Sequence, residues 1–170
     1  MKNLESLILA AVAMAICAFC SYQYARFLSP HTQHSAGWID PNQDVMNLMR
    51  VQDLPDKCTG ARYASSTVGI ESLTAVALMG ATGDLEDFAI RVIPKANSVE
   101  VFGISTKCPF TAVQIRELER LYRVDLSWIP TQSREDCIAI ETVGQSVGNP
   151  YLYLDKASGI LYFLVCTGLR

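Results

Sequence analysis

Fourteen consecutive apolar residues without a charge, LILAAVAMAICAFC from Leu7 to Cys20, constrain this chain more than any other feature. Their length lies between the core of a secretory signal and a full membrane span of about 20 residues. A cleaved signal ends in a small-x-small site, but the best candidate, AMA at Ala13 to Ala15, comes early and would leave ICAFC exposed. A lipoprotein site needs small residues ahead of its cysteine, whereas Ile16 precedes Cys17 and Phe19 precedes Cys20. Retention is therefore expected, as a membrane helix over residues 4–28 with Tyr22 and Tyr24 at interfacial depth and Arg26 beyond them. Pro30 stops it, because proline lacks the amide hydrogen and pushes its predecessor out of helical geometry.

The rest of the 170 residues is enough for one ordinary core, and 50% apolar against 18% charged residues is too greasy for a disordered chain. Beyond residue 35 there are 12 basic against 16 acidic side chains, a net of about −4. No basic run and no lysine or arginine cluster interleaved with aromatics is present, so the electrostatic footprint of a nucleic-acid binder is missing. Cys17 and Cys20 lie inside the apolar stretch, while Cys58, Cys108, Cys137 and Cys166 are spread over the remainder. Four separated cysteines after an export-like segment read as two disulfides in an oxidising compartment. Of the three pairings, Cys58 with Cys108 and Cys137 with Cys166 is preferred, the latter two falling on strands of one meander.

Glu5 does not belong in a plain anchor. An acidic residue directly against hydrocarbon opposes the usual positive flank and needs a partner. With Leu4 and Glu5 ahead of some twenty mainly apolar residues, the first 24 residues or so resemble the mature amino terminus of type IV pilins and pilin-like proteins. That resemblance implies that Glu5 pairs with the amino terminus of a neighbouring subunit during filament assembly. It also implies a globular α+β head with a C-terminal disulfide.

Residues 29–37, SPHTQHSAG, read as a short polar tether, and the head as residues 38–170. Asp40, Pro41 and Gln43 supply an N-cap, a first-turn proline and a capping-box partner for a helix with Val45, Leu48 and Met49 on its buried stripe. A second helix is expected over residues 68–79, capped by Gly80. DFAIRVI and SVEVFGI, joined by PKAN, alternate as two strands. Thr111 and Gln114 form a capping box, with Phe110 and Ile115 as its hydrophobic staple and Glu119 with Arg123 as an i,i+4 pair. Three strands come after it, CIAIETV, YLYLD and ILYFLVC, the last two joined by KASG.

Chemistry is harder to find. GQSVG at Gly144 to Gly148 matches the nucleophile elbow in form, yet Asn149, Pro150 and a strand follow where that motif needs a helix. Both histidines, His31 and His34, also precede Ser146, the reverse of the order that fold requires. The two histidines are three apart in a polar loop and have no obvious further ligands for a metal. The CAFC spacing of Cys17 and Cys20 lies in the apolar helix with no redox fold around it. GATGD lacks the lysine and hydroxyl residue of a phosphate loop, and the acidic pairs Glu86 with Asp87 and Glu135 with Asp136 fall in expected surface loops.

The expectation is an α+β protein: one transmembrane helix, two or three head helices and an antiparallel sheet of about five strands stapled by disulfides. No catalytic, cofactor or metal site is expected, and no small-molecule substrate. The function expected is non-enzymatic, a head held outside the cytoplasm at a membrane, most concretely a pilin-like subunit that assembles with protein partners or itself through Glu5 and the apolar helix. The alternatives are an anchored accessory protein whose head binds one protein, and a secreted domain freed by cleavage of the segment.

Overall fold

Leucine, alanine and methionine are good helix formers, and α1 runs unbroken through them from Lys2 to Phe27. It closes where Leu28 and Ser29 donate their amides to Tyr24 and Arg26 and the Ser29 hydroxyl bonds back to Ala25, just before Pro30. The computed structural model describes residues 2–92, 101–105, 107–133, 136–142 and 151–167. After α1 come β1 (His31–His34), α2 (Gln43–Met49), β2 (Gly60–Val68), β3 (Glu71–Met79) and α3 (Thr82–Val92). The chain continues with β4 (Val101–Ser105), α4 (Ala112–Tyr122), β5 (Cys137–Thr142), β6 (Tyr151–Asp155) and β7 (Ile160–Cys166).

The strands form one antiparallel sheet in the order β1-β2-β3-β7-β6-β5-β4. The C-terminal strand β7 thus sits at the centre, in register with β3 from Leu73 opposite Cys166 to Met79 opposite Ile160. Alternation sends Val76, Leu78, Leu161, Phe163, Leu152 and Leu154 to one face, where α2 and α3 cover them with Val45, Met49, Leu85 and Phe88. Leu73, Ala75, Leu164 and Tyr153 face the other way, under Ile115, Leu118 and Tyr122 of α4 and the loop residues Leu126 and Ile129. Both faces of the sheet are therefore covered by the chain itself.

Several expectations need correction. Among the described residues the sheet has seven strands rather than about five, and the supposed tether contributes β1, an exposed edge strand paired with β2. The helix expected over residues 68–79 is the tip of the β2–β3 hairpin and β3 itself. A strand buried on both faces is apolar at nearly every position, so periodicity alone does not separate it from a buried helix. Gly80 caps no helix; it donates its amide to Gly159, with the Lys57 carbonyl close by. DFAIRV belongs to α3, not a strand, because Leu85, Phe88 and Ala89 recur at helical spacing and all three are buried. SVEVFGI contributes β4, while PKAN lies outside the described residues.

Helix α2 is capped by Asn42 rather than Asp40: the Asn42 side chain accepts from the amides of Asp44 and Val45 at 3.1 and 3.2 Å. The Thr111–Gln114 capping box forms as expected. Glu119, however, accepts from the Leu126 amide at 2.9 Å, while Arg123 takes the left-handed position that ends α4.

The transmembrane helix is overturned as well: among the described residues no helix is long and apolar enough to cross a membrane. The purely apolar run stops at fourteen residues, short of the roughly 20 a span requires, and Ser21, Gln23 and Arg26 dilute the remaining turns of α1. Nor is there a disulfide, all six cysteines being free. Cys137 pairs across β6 at Asp155, and Asp155 pairs across β7 at Ile160, six residues from Cys166. At about 3.3 Å per residue that offset is roughly 20 Å along the strands, against a limit of about 7 Å between bridged Cα atoms. Cys58 and Cys108 pack against the clusters on opposite faces of the sheet and cannot meet.

Candidate functional site

Through its middle, from Leu7 to Cys20, α1 is apolar on every side, with no polar stripe to mark a solvent face. Val12, Met14, Ile16, Phe19, Tyr22 and Tyr24 are all more than half exposed, Met14 by 68%. A helix that is hydrophobic all round is ordinarily found buried, and here it makes no extended contact with any strand or helix of the head among the described residues. Its only firm attachment among those residues is at the base. The Phe27 carbonyl accepts from the Gly69 amide at 3.1 Å, and the Phe27 ring and Leu28 lie over Gly69.

Gly69 is the first residue of the two-residue turn between β2 and β3 and adopts a φ of +62°. A side chain there would be strained by the backbone and would also meet the Phe27 ring at 3.1 Å. Ile70, the second turn residue, follows Gly69 in the chain and is 90% exposed. The apolar surface of α1 thus continues onto the hairpin tip. Sequence reasoning missed this, reading residues 68–79 as a helix; the available signal was a glycine beside a lone isoleucine between two strand-like runs. Glu5 lies in the second turn of α1, three residues after Lys2, far along the helix from this base.

The remaining candidates do not assemble. His31 and His34 are an odd number apart in β1 and so point to opposite sides of the strand, which prevents them from sharing one metal. Among the described residues no group of three metal-ligating side chains comes together. Glu86 is ion-paired with Lys156 at 3.5 Å and Asp84 with Lys57 at 3.4 Å, both at the surface. Gly144 to Gly148 and Glu135 lie outside the described residues.

Of the four head thiols, Cys137 and Cys166 are buried and Cys58 and Cys108 half-buried. Burial pushes the Cys58 thiol up, against a smaller opposing pull from the Gly60 and Met79 backbone, and it pushes Cys108 up in the same way. Cys108 donates to the Pro130 carbonyl at 3.2 Å. Cys137 accepts from the Tyr153 hydroxyl at 2.8 Å, and Cys166 shares a hydrogen bond of 3.2 Å with Tyr122. Cys17 and Cys20 are exposed on α1. Asp125 is held below the usual carboxylate range by the Ser127 hydroxyl and amide, with Arg62 and His34 adding to the effect. Arg62 also lies 5.2 Å above the Trp128 ring. An ionised Asp125 is thus a surface anchor for Arg62 rather than a proton donor.

The chain matches no family model, no curated protein and no solved structure. Function therefore rests on the physical chemistry of α1 and the head.

Proposed function

We propose that this is a non-enzymatic structural or interaction protein that works by burying α1 in an assembly of protein subunits, while the head presents the outer surface. The observation that carries this reading is the exposure of an all-round apolar helix that the head leaves uncovered. Exposed apolar surface of that extent drives association in water, and a helix without a polar face can be satisfied only by being surrounded. The most concrete form is a pilin-like subunit, in which Glu5 pairs with the amino terminus of a neighbouring subunit and the apolar helices bundle. A head presented outside the cytoplasm follows from that form alone, since free thiols withdraw the support that disulfides would lend.

The test is Glu5→Ala in the native host. Incorporation into the assembly is expected to fall severalfold while the isolated protein keeps its far-ultraviolet circular dichroism. Normal incorporation would remove the pilin-like form, and sensitivity confined to head-surface substitutions would favour an accessory protein that binds one partner.

A further inference from the structure

Among the described residues α2 and α3 cover one face of the central strands and α4 the other, and α1 makes no extended contact with any of these elements. We propose that in the free protein two copies pair α1 against α1 in antiparallel fashion, centred between residues 15 and 16. Each helix then covers one flank of the other, leaving the rest for a larger assembly, and reaches the hairpin tip of the second copy. This rests on the reading that protein buries α1, and it names the occupant when no larger assembly is present.

Charge placement supports the direction. Glu5 and Arg26 are equally far from the centre, so antiparallel pairing sets Glu5 level with the second copy's Arg26, twice by symmetry. Lys2 then arrives level with Ser29 of the second copy, near the hairpin where Glu71 opens β3. A parallel pair in register would instead stack Glu5 on Glu5 and Arg26 on Arg26. It would also align the two helix dipoles, whereas antiparallel helices oppose them favourably.

The hairpin tip supports the length. In this pairing the second copy's Leu4 comes level with Phe27, which packs on Gly69, and the next residue in that turn, Ile70, is 90% exposed. At 1.5 Å per residue α1 is about 39 Å long, so the two heads emerge at opposite ends of the pair. Neither obstructs the other.

The experiment uses the full chain with Cys17 and Cys20 replaced by alanine. Two differently tagged populations carry Ser6→Cys and Ala25→Cys, are mixed in detergent-free buffer, and are treated with a short bis-maleimide. Peptide mass spectrometry is expected to find residue 6 joined to residue 25 across the two tags. In sedimentation, Glu5→Arg or Arg26→Glu alone should weaken the dimer by roughly tenfold, and the double variant should restore it. Links between two copies of residue 6, a monomer, or failure of the double variant to restore pairing would overturn the proposal. So would a shift to monomers floating with phosphatidylcholine vesicles, which would make lipid the cover. Loss of the pair while Glu5→Ala still lowers incorporation sinks only the antiparallel arrangement. An intact pair with incorporation independent of Glu5 sinks the pilin-like form instead.

Discussion

At the scale of single residues, backbone proximity decides which glycines matter. A Cβ on Gly80 would lie 2.6 Å from the Lys57 carbonyl oxygen and 3.1 Å from the Cys58 Cα, and neither backbone atom can swing aside. Gly80→Ala is expected to destabilise the fold by about 1–3 kcal/mol, read as a lower urea midpoint at unchanged slope. Gly83, in the first turn of α3, has open space where its Cβ would stand. There alanine should be neutral or stabilise by up to about 1 kcal/mol, because it restricts the unfolded chain and favours helix. Equal effects at the two positions would refute a role for backbone proximity. The same scale separates two kinds of local legibility. The Thr111–Gln114 box is written into four consecutive residues, whereas the contact between Gly80 and Lys57 joins residues twenty-three apart and leaves no local trace.

At the scale of elements, α4 is the best specified and its prediction is the sharpest. Thr111 Oγ accepts from the Gln114 amide at 3.2 Å and the Gln114 side chain accepts from the Thr111 amide at 3.1 Å. The far end is tied down where Ser66 donates to the Tyr122 carbonyl at 2.7 Å. Thr111→Ala should cost about 1 kcal/mol, and Thr111→Ser should recover most of it, measured by chemical unfolding. Helix α4 and strands β5 to β7 were legible because each is short, alternates or repeats cleanly, and begins with its own cap or turn. Strand β3 was not, since burial on two faces erases the alternation that marks a strand. Helix α3 failed for the opposite reason: Phe88, Ile90 and Val92 alternate by chance within a segment whose buried side is set by Leu85, Phe88 and Ala89.

At the scale of the whole molecule, buried acids couple folding to pH. Burial raises the thiols of Cys58 and Cys108, and burial together with Cys166 raises the phenol of Tyr122. Between its ordinary value and its raised one, each group is protonated when folded and ionised when unfolded. The unfolded chain then binds fewer protons, so stability falls as pH rises. The contribution is complete below the unfolded values, about 8.5 for a thiol and 10 for a phenol, and is lost above them. Urea midpoints should hold near neutrality and decline from about pH 9. Tyr122→Phe, though less stable at pH 7 through loss of its bond to Cys166, should show a shallower decline above about pH 10. A midpoint unchanged to about pH 11 would contradict the burial of these groups.

What the sequence by itself determined is everything that neighbours along the chain can enforce: an apolar helix stopped at Pro30, the capped α4, and the β6–β7 hairpin with its Asp155 and Gly159 turn. Glu5 and the apolar run were visible there too. Only the tertiary structure decided that β7 lies between β3 and β6, that the cysteines expected to pair are held apart, and that Ile70 extends the exposed surface of α1. These depend on which strands meet across the sheet. Such meetings are fixed by burying two faces at once, and no local window of sequence contains that information.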